Sequence, residues 1–162
     1  MNRCFRLAAA ALLAATSLCV QASDFMGTVT HVTDGDSLWV RPAAGGPPRR
    51  LRVQGIDAPE ICQPWGRESR DALAAHLLHQ QVRVSSSGRD TYQRTLARVS
   101  LGGQDVGAWM VSRGYAWSYH FHRDSGPYSQ QETQARSARL GLWSAGAPME
   151  PRAFRKRHGS CK

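Results

Sequence analysis

Met26-Gly27-Thr28-Val29-Thr30-His31-Val32, then Asp34-Gly35-Asp36, then Ser37-Leu38-Trp39-Val40-Arg41 is the stretch that decides the fold. The outer runs alternate and are rich in β-branched residues, so each reads as a strand. The acidic tripeptide between them is a turn signal. Pro42 to Pro48 is a Gly/Pro-rich loop leading to a third strand, Arg49 to Ile56. Pro59 blocks simple continuation of that strand.

The period then changes. Over Gly66 to Gln81, the residues Ala72, Leu73, Ala75, His76 and Leu77 fall at helical spacing. Glu68 and Asp71 lie in the first turns, where the helix dipole favours acids. Val82 to Ser85 and Thr95 to Leu101 read as two more strands, flanked by Ser86-Ser87-Gly88 and Gly102-Gly103. Asp105 to Ser112 predicts a second helix, with Val106, Trp109 and Met110 on one face. Tyr115 to Phe121 reads as aromatic and extended. Ser129 to Leu140 predicts a third helix, stopped by Gly141. Five strands with a helix after the third suit a small closed Greek-key barrel. The expected class is α+β: a five-stranded OB-fold β-barrel with about three helices.

The 162 residues open with a stretch that reads as an export signal over 1–22. Arg3 and Arg6 precede an Ala/Leu-rich run, and Val20-Gln21-Ala22 suits a cleavage site. What remains, roughly 140 residues, suits one domain rather than two. No second apolar run is long enough for a membrane span, so no stable membrane association is expected. The expected location is periplasmic or secreted, and a monomer is expected.

The formal net charge is +9, carried almost wholly by arginine, with lysine only at 156 and 162. Nucleic acid is the commonest polyanionic partner of such a chain. Cys62 and Cys161 are the cysteines outside the signal. An oxidising compartment favours a bridge between them, and two free thiols is the alternative. Neither lies in a C-x-x-C or His-rich setting, which argues against zinc. The end of the chain, 147–162, reads as a Pro-rich and then basic tail. It is either a solvated terminus or an extra contact for phosphates.

Chemistry gathers at two segments and one later arginine. Asp36, Asp57 and Glu60 can bring three carboxylates to one place, and hard oxygen ligands suit Ca²⁺ or Mg²⁺. Arg52 and Arg94 can bring two guanidiniums, which grip phosphate oxygens bidentately and keep their charge. A divalent ion beside two arginines fits hydrolysis of a phosphodiester.

The combination of Asp34-Gly35-Asp36, Arg52, Asp57-Ala58-Pro59-Glu60 and Asp90-Thr91-Tyr92-Gln93-Arg94, in that order, strongly resembles the staphylococcal nuclease-like, or thermonuclease, family. The resemblance runs from about Phe25 to Trp143. It implies a nuclease-like OB-fold domain over 23–146 and a Ca²⁺-dependent phosphodiesterase acting on DNA and RNA with little sequence specificity. Products with a 3′-phosphate are implied. Asp36, Asp57 and the backbone carbonyl of Ala58 correspond to the metal ligands, with waters completing the shell. Glu60 corresponds to the carboxylate that orients or deprotonates the attacking water. Arg52 and Arg94 correspond to the phosphate-holding pair. Asp34 corresponds to an acid near the metal, or simply caps the turn. Tyr92 falls at a phosphate- or sugar-contacting tyrosine. The family's nucleotide-binding tyrosines fall on His120 and His122 here, so Tyr119 or Phe121 takes the stacking role. Gln93 replaces the usual glycine before the arginine. The rival reading is a catalytically inactive OB-fold module that binds nucleic acid or protein. Such relatives lose the acidic and arginine positions that this chain retains.

Overall fold

The computed structural model describes residues 24–120, 124–159 and 161. The signal over 1–22, Phe121, His122 and Lys162 lie outside the described residues.

Strands β1 (Asp24–Asp34) and β2 (Ser37–Pro42) form a hairpin, with Asp34 opposite Ser37 and only Gly35-Asp36 between. Strand β3 (Arg49–Val53) pairs antiparallel with β2. The run expected to be one strand to Ile56 breaks at Gln54-Gly55, where Gly55 takes a φ of 83°. Its last residue, Ile56, joins Asp57 in β4 (Ile56–Asp57), which leaves the barrel. Helix α1 (Gly66–Leu77) follows, then β5 (Gln81–Arg89) and β6 (Thr95–Leu101). A two-residue β7 (Gln104–Asp105) leads into α2 (Val106–Ser112), whose first turn is capped by Asp105 accepting from the Ala108 N–H.

The sheet runs β3-β2-β1-β5-β6-β7, and a parallel pairing of β3 with β6 closes the first five strands into a barrel. Alternation along these strands sends Val29, Leu38, Val40, Leu51, Val53, Val82, Val84, Ala97 and Val99 inward, all at most 1 % exposed. Leu73 and Leu77 of α1 and Val106, Met110 and Val111 of α2 join this core. Burying an aliphatic side chain contributes about 1.5–3 kcal/mol before chain entropy is set against it. This α+β architecture is the OB-fold that the strand pattern predicts.

The aromatic stretch after α2 holds only a short β8 (Trp117–Ser118), paired with β4. Helix α3 (Ser129–Ser137) ends three residues earlier than its pattern suggests and covers a small cluster of Trp117, Ala135, Leu142 and Trp143. A short 3₁₀ turn, Gly141–Ala145, docks the last two. The stretch read as a tail contains a fourth helix, α4 (Pro151–His158). Proline at its first position has no N–H to waste and a φ already suited to a helix. Thus, among the described residues, four α-helices stand where about three are expected.

Candidate active site

The site lies where the β1–β2 turn, the end of β3, β4 and the loop into α1 meet. Asp36 occupies the tip of the hairpin. Its backbone carbonyl accepts from the Val53 N–H at 2.8 Å, and its own N–H donates to Asp34 Oδ1 at 3.0 Å. Asp34 therefore caps the turn and also adds a carboxylate beside Asp36. Gly35 is demanded by close approach: a Cβ there would strike Ser69 Oγ of α1 and Ala58 Cβ. The turn can thus press against both the helix and the Asp57–Ala58 segment.

Arg52 sits opposite Ser37 in the β2–β3 register. From there its Nη2 reaches Asp36 Oδ2 and Asp57 Oδ1, each at 2.9 Å. One nitrogen thus holds both expected metal-ligating carboxylates. Both aspartates are 6 % exposed. Ala58 follows directly, with its N–H 3.5 Å from Asp36 Oδ2.

Glu60 is carried by the loop between β4 and α1. Its N–H donates to Gln63 Oε1 at 3.2 Å, and its carbonyl accepts from the Gln63 N–H at 2.8 Å. At Gly66, where α1 begins, a Cβ would run into the Glu60 carbonyl, so the loop can fold tightly onto the helix start.

Arg94 enters at the foot of β6 and stops one residue short of the carboxylates. Its Nη1 donates to Ser37 Oγ at 2.9 Å, and that hydroxyl donates to Asp36 Oδ1 at 2.9 Å. Asp90 sets this arrangement. Its Oδ1 accepts from the N–H groups of Tyr92 and Arg94, and its Oδ2 accepts from Arg94 Nε at 2.7 Å. Burial nudges the Asp90 carboxyl upward, but the Arg94 backbone N–H and guanidinium bring it below its ordinary pKa. Gln93 takes the left-handed φ of 61° that its loop position demands. Tyr92 is 71 % exposed, with the Arg94 guanidinium 5.4 Å from its ring centre. Tyr119 lies half-open on a shallow groove with Asp57, Trp117, His120, Glu150 and Arg152.

Cys62 and Cys161 form a disulfide, with an S–S distance of 1.99 Å and a Cα–Cα distance of 5.7 Å. The bridge brings α4 over the site, where Arg155 Nη1 lies 2.8 Å from Glu60 Oε1 and Nη2 lies 3.2 Å from Asp57 Oδ2. Sequence reasoning placed Arg155 only in the basic tail and missed its contact with Glu60 and Asp57. It also gave no role to Ser37, Gln63 or Asp90, although Ser37 and Asp90 fall within the motifs.

Negative charge is in excess here. Asp34, Asp36, Asp57 and Glu60 gather around Arg52 and Arg155, while Arg94 is partnered by Asp90. Burial, then the charge of Asp36, pushes Asp34 up to about 7. The same two causes raise Asp57, although Arg155 and Arg52 pull the other way. Such frustrated carboxylates suit a hard divalent cation. Among the described residues, no three His, Cys, Asp or Glu side chains form a metal-binding group on their own. Asp36 and Asp57 are the carboxylate pair that could hold such an ion, and the Ala58 carbonyl and water are the further donors expected from the sequence.

A family model described as staphylococcal nuclease homologue matches residues 50–145. A micrococcal nuclease of Shigella flexneri is 36% identical over 163 residues, covering 93% of this chain and 91% of that protein. An uncharacterized endonuclease of Haemophilus influenzae is 34% identical over 128 residues, covering 79% of this chain and 71% of the other. A protein ParB of Escherichia coli is 36% identical over 162 residues, covering 93% and 90%.

Proposed function

We propose, from the premise that this chain belongs to the staphylococcal nuclease family, that it is a Ca²⁺-dependent nuclease hydrolysing DNA and RNA phosphodiesters with little sequence specificity. The observation that carries the reading is Arg52 Nη2 bridging Asp36 and Asp57 at 2.9 Å each, with Glu60 joined to Asp57 through Arg155. Carboxylates for a cation, a further carboxylate for water and a guanidinium for phosphate meet in one place.

Asp36, Asp57 and the Ala58 carbonyl would hold Ca²⁺, which when bound supplies Lewis-acid charge and a template for the phosphate. Glu60 orients the attacking water and takes its proton. The water oxygen bonds to phosphorus as the P–O5′ bond breaks, the 5′-oxygen takes a proton from a solvent water, Glu60 returns its proton to solvent, and the 3′-phosphate remains. Arg52 turns its fork to the non-bridging oxygens, where negative charge grows in the transition state. Arg94 does the same from the Ser37 side, held in aim by Asp90. Asp34 fixes the turn that presents Asp36. Tyr92 and Tyr119 contact the sugar or base, and stacking on Tyr119 is tolerant of base identity. Contacts to the backbone carry little sequence information.

Residues 1–22 direct export to the periplasm or medium, 23–146 form the nuclease domain and the remainder is its basic extension. The protein acts as a monomer. Among the described residues no helix is long and apolar enough to cross a membrane.

The test is plasmid and RNA degradation with Ca²⁺ and with excess EDTA, for the wild type and Asp36→Ala. Cleavage that needs Ca²⁺ and vanishes in a folded Asp36→Ala supports the reading. Undiminished cleavage in EDTA would falsify it, and no cleavage under any condition would favour a binding module.

A further inference from the structure

Helix α4 is anchored at both ends to one loop. Near its start, Gln63 Nε2 donates to the Met149 carbonyl at 2.6 Å. Beyond its end, Cys161 is bonded to Cys62. Gln63 and Cys62 belong to the same loop as Glu60. The helix therefore straddles the active-site loop, and the residue it turns inward is Arg155.

Arg155 behaves as a cation in a cation's place. Its two terminal nitrogens reach both oxygens of Asp57, at 3.4 and 3.2 Å, and one of them reaches Glu60 at 2.8 Å. Burial works against the guanidinium charge, but hydrogen bonds and attraction from Glu60 and Asp57 more than offset it. Its helix neighbours Arg152, Lys156 and Arg157 are exposed. Asp57 cannot give the same oxygens fully to Arg155 and to a divalent ion.

We propose that Arg155 is a tethered internal competitor for the divalent cation: it occupies Asp57 and Glu60 in the metal-free protein and withdraws from Asp57 when the cation binds. This rests on the calcium reading above. The two anchors keep the guanidinium at a high effective concentration beside the carboxylates, so a flexible tail could not compete as well. The apparent metal affinity is reduced by the fraction of molecules in which Asp57 is engaged. With Asp57 engaged in about nine molecules of ten, that reduction is about tenfold. Opening the disulfide loosens one anchor, lowers the docked fraction and tightens metal binding. The Cys62–Cys161 bond thereby sets the Ca²⁺ concentration at which the site fills.

Calorimetric titration with CaCl₂, in the absence of substrate, tests this on the oxidised protein. Arg155→Gln should tighten the Kd by about tenfold, and Arg155→Lys, which keeps charge but loses the fork, should fall between. Arg157→Gln, an exposed charge on the same helix, should change it by less than about twofold and so measures the through-space effect. The double variant Cys62→Ser/Cys161→Ser should shift the Kd in the same direction as Arg155→Gln, and should add nothing when combined with it. Unchanged or weaker binding by folded Arg155→Gln overturns the proposal while leaving the calcium reading intact. A full disulfide effect persisting without Arg155 also overturns it. If neither wild type nor any variant binds Ca²⁺, the calcium reading falls and takes this inference with it.

Discussion

Replacing Arg52 by Met should uncouple stability from catalysis in a way that calcium exposes. Arg52 Nη2 lies 2.9 Å from both Asp36 and Asp57, with side-chain exposures of 17% for the arginine and 8% for each aspartate. Removing one partner of a buried pair costs about 3–5 kcal/mol, because the other charge is left behind. Here the loss is moderated. Arg155 still pairs with Asp57, and Asp57, left without Arg52, lines a surface groove that water can enter. A loss of about 2–3 kcal/mol is therefore expected in EDTA, and at about 3 °C per kcal/mol for a chain of this size Tm should drop by ~6–9 °C. Calcium bound as proposed would deliver positive charge to the same carboxylates. At a hundredfold excess over its Kd it contributes about 2.7 kcal/mol, and more to the variant, whose carboxylates are less satisfied. The Tm gap between variant and wild type should then narrow by at least half. Cleavage should not recover: without the fork on the phosphate the rate should stay down by about 10²-fold or more. Thermal melts followed by circular dichroism, with EDTA and with Ca²⁺, plus plasmid cleavage, read both quantities. A Tm in EDTA within about 1 °C of wild type would refute the shared-guanidinium argument.

Two further outcomes follow from the same geometry. Arg94→Lys keeps its charge but loses the fork that meets Asp90 and Ser37 together, so kcat should fall by about two orders of magnitude with the fold intact; a kcat within about twofold of wild type would remove Arg94 from the chemistry. Reducing Cys62–Cys161 opens a loop spanning 99 residues of sequence, so stability should fall by at most about 4.7 kcal/mol in the chain-entropy account. Cleavage at saturating Ca²⁺ should persist, and equal melting of the oxidised and reduced protein would show that the bond does not contribute.

Much of the barrel was legible because its strands state their period openly. Thr95 to Leu101 matches its strand residue for residue, since alternation and the paired glycines after it leave little choice. The expected single strand from Arg49 to Ile56 failed for a tertiary reason. The chain must leave the barrel after Val53 for Asp57 to meet Arg52, and Gly55 supplies the left-handed turn. Helix α4 was illegible for another reason. Pro151-Arg-Ala-Phe-Arg-Lys-Arg-His158 has few apolar residues to announce a packed helix, and what holds it is Cys161, Gln63 and the carboxylates under Arg155. The carboxylates and Arg52 could be read from their motifs. The Arg155 contact could not, because it depends on a bond between residues far apart in sequence. Arg94 was readable as a residue but not as a geometry, since its aim is set by Asp90 and Ser37 together.

The parallel seam between β3 and β6 has a consequence for when activity can exist. Arg52 lies opposite Leu96, and Leu51 opposite Thr95, so the seam joins the two arginine-bearing segments. Every other barrel pairing is antiparallel. The seam alone joins strands that are not neighbours around the open sheet, and its loop-closure entropy must be met before it forms. A half-folded chain can hold the Asp34–Asp36 hairpin but cannot bring Arg94 beside it. With the role proposed above for Arg94, a chain in which this seam has not closed should not cleave nucleic acid.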